Sequence, residues 1–158
     1  MVELTRARGI DARLGDVQEL SFEDGVFDCA IAAWMLYHVP DLDRGLAELA
    51  RVLRPEGRLV AVTNSETNLA ELWRFAVCEE PRIHTFSVET AREQLERHFA
   101  RVEERQANGT VTFPDWDAAH RYVENSVTRR HLADRLPRFE GALVCSRSVS
   151  VFVAEASR

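Results

Sequence analysis

From Val2 to Thr63 the apolar residues come in short runs separated by polar breaks that contain glycine or proline. Val2–Arg8 reads as the end of a helix, with Gly9 as its C′ stop. Ile10–Leu14 alternates and predicts a short strand, and Asp16–Gly25 predicts a polar loop with a helical turn. Phe27–Ala33 (FDCAIAA) is apolar enough to predict a strand covered on both faces. Met35–Asp41 is a loop, because Pro40 blocks a helix through it.

Leu42, Leu46, Leu49 and Leu53 recur at helical spacing, so Leu42–Leu53 predicts a helix with Asp41 as its N-cap. Pro55-Glu56-Gly57 turns the chain into a strand over Arg58–Thr63. This strand–helix–strand order implies a right-handed crossover and a parallel pair. Helices are predicted over Asn68–Val77, over Val88–His98 behind Ser87 and Thr90, over Asp115–Ser126, and more briefly over Arg129–Leu136. Phe99–Ala107 predicts a strand, Asn108-Gly109 a turn, and Ser146–Ala154 one last alternating strand. No repeat, low-complexity linker or second domain is visible, so residues 1–158 read as one domain.

Composition narrows the function classes. The net charge of -6 argues against a nucleic-acid partner, which selects a basic face. All 20 basic residues are arginine. No stretch approaches the ~20 apolar residues of a membrane span, and Met1 leads into a charged segment unlike a signal peptide, so a cytoplasmic protein is expected. Cys29, Cys78 and Cys145 are too widely spaced for a disulfide framework or a zinc site and read as buried free thiols. His84, His98, His120 and His131 are scattered and share no metal-ligand spacing with a Cys or carboxylate partner. The Asp41/Asp43 and Glu79/Glu80 pairs read as helix-end charges and solvated surface.

The order of pieces resembles one family. Gly15-Asp16 is followed by Leu20-Ser21-Phe22, then by Phe27-Asp28 entering FDCAIAAWMLYHV, the helix AELARVLRP, and Pro55-Glu56-Gly57-Arg58-Leu59-Val60. This series resembles the class I S-adenosylmethionine-dependent methyltransferases, in their ubiquinone/menaquinone-biosynthesis branch. The resemblance implies an α/β fold, a Rossmann-like three-layer sandwich, and methyl transfer from S-adenosylmethionine to a small-molecule acceptor. It also implies that the chain enters the domain after the second strand, N-terminally truncated. No G-x-G-x-x-G run occurs in the sequence, although a nucleotide-type cofactor on such a sheet ordinarily needs that turn. By the same resemblance Asp16 accepts from the adenine amino group, Val17 offers a backbone N–H and an apolar contact, and Ala33 and Trp34 flank the methionine part.

Other readings stand beside these. Asp16 can instead cap its own turn. His38 can serve as a base near the acceptor or as a loop histidine bonded to backbone. Trp34, Trp73 and Trp116, with Phe75, Phe86 and Phe113, can line an acceptor pocket or pack the core. A non-catalytic reading also follows: without the first two strands Phe27–Ala33 comes near a sheet edge and invites another chain. A homo-oligomer with exchanged elements is then expected, in which Ile10–Leu14 finds a new partner.

Overall fold

The structure is a computed structural model and describes residues 2–76, 85–126 and 129–157. Cys78, Glu79, Glu80, His84 and the expected helix end at Val77 lie outside the described residues. A short helix α1 (Val2–Arg6) ends as the sequence suggests: the Gly9 N–H donates to Arg6 O at 2.9 Å, with φ at +77°. That angle suits glycine because a Cβ would crowd the backbone.

The main sheet has the order β1 (Phe27–Ala33), β2 (Leu53–Asn64), β6 (Val149–Glu155), β3 (Arg101–Gln106). β1 runs parallel to β2, and both remaining pairings are antiparallel. The expected parallel crossover is present through α2 (Leu42–Val52), whose N-cap Asp41 accepts from the Arg44 N–H at 3.1 Å. α4 (Val88–Glu96) opens on the Ser87/Thr90 capping box.

Register assigns the faces. Ala32, Ala61 and Phe152 lie across from one another, as do Ala30, Leu59 and Ala154. With Leu46 and Leu49 of α2, Ala91 and Leu95 of α4, and Phe86 and Phe99, these residues form the larger core. The opposite rows, Ile31–Val60–Val153 and Ala33–Val62–Val151, contribute nothing to that core. Ile31 is 74% exposed, and the Cys29 thiol is exposed as well.

Three sequence expectations are thereby corrected. Phe27–Ala33 is covered on one face only, and no strand among the described residues pairs with its outer edge. A run with apolar residues at both odd and even positions does not reveal which of its faces is covered. Ile10–Leu14 is not a strand; Leu14 is 90% exposed, and alternation without a neighbouring strand forms no ladder. Ser146–Ala154 is two strands in two sheets, β5 (Leu143–Arg147) and β6, separated at Ser148. The Ser148 N–H donates to Asn68 Oδ1 (2.9 Å) and its carbonyl accepts from the Ser65 N–H (3.0 Å), so this residue is bound to the loop after β2.

β5 pairs with β4 (Gly109–Phe113), a strand that the sequence reading did not foresee. Around this ribbon α3 (Ala70–Ala76), α5 (Trp116–Glu124) and a 3-10 turn over Arg130–Arg135 enclose a second core. It includes Leu72, Phe113, Ala119, Val123, Leu132 and the buried Cys145.

Candidate functional site

The acidic loop, the end of β1 and the end of β2 carry the candidate chemistry. Both Asp16 oxygens accept hydrogen bonds from Gln18: Oδ1 takes the backbone N–H at 2.9 Å, and each oxygen takes the side-chain amide at 3.1 Å. Those bonds, the backbone one first, hold the Asp16 carboxyl below its ordinary range, so it is ionised at neutral pH. Gln18 in turn accepts from the Asp41 N–H at 2.8 Å, tying the loop to the start of α2. Asp16 therefore caps its turn, and its spare lone pairs still allow it to accept from a ligand.

Val17 packs its side chain toward the main core, and a Cβ on Gly45 would lie 3.5 Å from Val17 Cγ1. The glycine in α2 thus lets this loop sit close to the helix. Arg51 fixes the rest of the loop, donating to Phe22 O (2.8 Å), Leu20 O (3.0 Å), Asp24 Oδ1 (2.5 Å) and Glu48. Glu48 also accepts from the Leu20 N–H at 2.8 Å. The Arg51 bond and then the Leu20 N–H hold the Glu48 carboxyl at about 2, against an ordinary 4.5.

A depressed folded pKa contributes stability that is present above the unfolded value and lost as pH falls. The stability advantage of the wild type over Glu48→Gln is therefore expected to be full above pH 4.5 and to shrink as pH falls toward 2. Urea midpoints measured across that window test this; a gap independent of pH contradicts it.

Trp34 ends β1 in the left-handed region, at φ 52°. A large non-glycine residue there is strained, and such strain persists only where its surroundings enforce it. Here the Trp34 N–H donates to Val62 O (2.9 Å) and the indole Nε1 donates to Asn64 Oδ1 (3.2 Å). The indole remains partly exposed at the strand end, where open α/β sheets bind ligands, and Ala33 beside it is exposed on the bare sheet face.

Next to this point is a cavity of about 160 Å³, lined by Tyr37, Asn64, Ser65, Glu66, Asn68, Trp73, Tyr122, Ser126 and Arg129. His38 is exposed and is not among the lining residues; its ring sits against Tyr37 with centroids 4.5 Å apart. Of the aromatic candidates, only Trp73 reaches the wall. Phe86 and Phe113 are core, Phe75 is exposed, and Trp116 stacks on His120. Cys29, read as a buried thiol, is exposed. No cluster of metal-ligating side chains occurs among the described residues.

Sequence reading missed Asn64, Tyr122 and Arg129. Asn64 had a signal, since it ends a predicted strand at the ligand side of a parallel pair. Tyr122 on α5 and Arg129 at the start of the 3-10 turn come from the elements around the second core and had none.

This geometry is that of a Rossmann-like α/β fold with its open end at the carboxyl ends of parallel strands. The YcgJ protein of Bacillus subtilis has the same fold: TM-score 0.64, 14% identity, covering all of this chain and 79% of that one. Residues 1–61 match the family described as a methyltransferase domain. The chain is 48% identical over 65 residues to a 37.1 kDa protein of transposon TN4556 from Streptomyces fradiae, covering 38% of this chain and 19% of that protein. It is 42% identical over 53 residues to the demethylmenaquinone methyltransferase of Desulfitobacterium hafniense, covering 34% and 21%. The matched part is thus about a fifth of the length of these curated relatives. Residues 1–61 of the chain are thus similar to a methyltransferase domain, and the whole chain shares the fold of such proteins. No helix of the described residues is long and apolar enough to cross a membrane.

Proposed function

We propose that residues 1–158 act as one unit in S-adenosylmethionine-dependent methyl transfer to a small-molecule acceptor. The observation that carries this is an ionised acceptor, Asp16, anchored through Gln18 to the head of α2, and a strained indole, Trp34, bonded to β2, both within the residues that match the methyltransferase domain. The residues present fit one wall of a cofactor site. Asp16 suits an adenine amino group, the Val17 backbone suits the ring edge, and Ala33 with Trp34 gives an apolar surface for the methionine end. The glycine-rich turn that would form the opposite wall is not in the sequence.

When bound, the cofactor supplies an electrophilic methyl on a sulfonium centre. The residues of this chain orient and enclose. Trp34 donates to Asn64, so one hydrogen bond links the proposed cofactor wall to the cavity wall. Alignment of donor and acceptor accounts for much of the acceleration in such a displacement. His38, beside Tyr37 but off the cavity wall, is the candidate for proton removal from an acceptor.

Titration calorimetry of the chain with S-adenosylmethionine is expected to show micromolar binding. Asp16→Ala should weaken it by about tenfold, the loss of one hydrogen bond to a charged group. Absence of detectable heat overturns the reading for this chain.

The open edge and bare face of β1 favour a second reading: a methyltransferase-like binding module that assembles as a homo-oligomer. A compact monomer by light scattering coupled to size-exclusion chromatography removes it.

A further inference from the structure

We propose that the outer edge of β1 is a two-fold pairing surface for a second copy of this chain, with residues 29–33 of the two copies antiparallel and centred on Ile31. This pairing deepens the homo-oligomer reading above and rests on it.

The two edges of the main sheet are built differently. The far edge, β3, carries Arg101, Glu103, Glu104 and Arg105 among its six residues. Charge of that density keeps other strands away. Residues 29–33 of β1 (CAIAA) hold no charge, no proline and no glycine. Ile31 is exposed there, and no strand among the described residues lies beside it. An edge left open in this way is a template for another strand.

Backbone direction sets which groups that edge offers. The Trp34 N–H donates to Val62 O of β2 at 2.9 Å. Alternation then turns Ala30 and Ala32 toward β2 and points the N–H and C=O of Cys29, Ile31 and Ala33 outward. In an antiparallel ladder these outward residues must meet one another, because each such pair exchanges two N–H···O bonds.

Neighbouring elements then select the register. Centring on Ala30 would bring in the charged Asp28 and the register shift between Phe27 and Cys29. Centring on Ala32 would bring in Trp34, whose φ of 52° ends the strand. Centring on Ile31 pairs the whole regular stretch and neither obstacle: Cys29 faces Ala33, Ala30 faces Ala32, and the two isoleucines face each other.

Charge and shape suit this register. No charged side chain enters the seam, so two chains of net charge -6 meet where neither repels the other. Asp28, just outside the seam, is already paired with Arg54 at 2.6 Å. The bare row Ile31–Val60–Val153 runs on into the partner. The two isoleucine Cα atoms stand about 5.5 Å apart in such a pair, so the side chains cover each other. The interface is isologous, and the charged β3 edge lets the main sheet grow no further than two copies.

Thiol cross-linking of the whole chain with dibromobimane, a short reagent that joins two neighbouring thiols, tests the register. In Ala33→Cys the new thiol faces Cys29 of the other copy, and a cross-linked dimer is expected. The unaltered chain should give none, because its two Cys29 thiols stand four positions apart, about 13 Å. Cys29→Ser combined with Ala33→Cys should also give none, which excludes Cys78 and Cys145. Ile31→Lys and Ile31→Glu, each added to Ala33→Cys, should each lower the dimer yield about tenfold by setting like charges across the axis. Their melting temperatures should be retained, since Ile31 is 74% exposed in the single chain. Mixing these two variants should restore the yield, a result that requires the two positions to face each other. Light scattering on the same samples separates the failures. An oligomer in which Ala33→Cys gives no cross-link keeps the homo-oligomer reading and overturns this pairing. A yield unaffected by Ile31→Lys, or unrestored in the mixture, also overturns it. A monomer that does not cross-link overturns both.

Discussion

Phe152→Ala is expected to lower folding stability by about 3–5 kcal/mol. Phe152 is fully buried on β6, the strand that joins β2 to β3. Its ring lies in the row of Ala32 and Ala61 and packs in the core that α2 and α4 cover. Its cross-strand neighbours are Ala61 on β2 and Glu104 on β3, so no large apolar side chain beside it in the sheet can fill the void. Truncation removes the transfer free energy of the ring and leaves a cavity as well. Total stabilities run at about 5–15 kcal/mol, so the variant should be marginal. Urea unfolding measures the loss. Phe75→Ala is the matched control: Phe75 is 45% exposed, and its loss should be several-fold smaller. Similar losses for the two would contradict this account of the core.

Gly57→Ala is expected to destabilise by about 1–3 kcal/mol and to loosen β1 specifically. A Cβ at Gly57 would stand 2.8 Å from Arg54 O, 3.2 Å from Arg54 N and 3.3 Å from Asp28 O. All three atoms are backbone, so no rotamer change relieves the crowding. Glu56, just before it, already holds φ at +66°, and Gly57 O accepts from the Ala156 N–H at 2.9 Å. Relief must come from moving the Arg54 turn or pushing β1 away. Because β1 is an edge strand, the second is easier, and hydrogen exchange should show faster loss of protection at residues 27–33. Gly45→Ala gives the contrast, since its Cβ would meet only the side chains of Val39 and Val17 at 3.2 and 3.5 Å. That substitution should be close to neutral, because alanine favours the helix by about 1 kcal/mol over glycine.

The two glycines show how far local pattern reaches. Pro55-Glu56-Gly57 is recognisable as a break before a strand, yet the chain stays within one continuous strand, β2, that begins at Leu53. What requires glycine there is first the local Arg54 carbonyl at 2.8 Å and then the Asp28 carbonyl at 3.3 Å, and only the second contact, far away in sequence, lies beyond any local rule. The acidic loop behaves similarly. Asp16 is visible as a candidate acceptor, but its anchoring by Gln18 to the head of α2 is a tertiary fact.

The sequence by itself determined α2 with its Asp41 cap, α4 with its capping box, the β1–β2 parallel pair, and the likeness of the Gly15–Val60 series to a methyltransferase domain. Each of these depends on residues close together in the chain: helical spacing, caps, or an apolar run bounded by turns. Only the tertiary structure decided that β1 is bare on one face, that Ser148 divides the final alternating run between two sheets, and that Arg129 and Tyr122 meet Asn64 across a cavity. These outcomes depend on which distant surface arrives to cover a strand or accept a hydrogen bond. Alternation and apolar content state that a face can be buried; the partner that buries it is fixed only when the chain closes on itself.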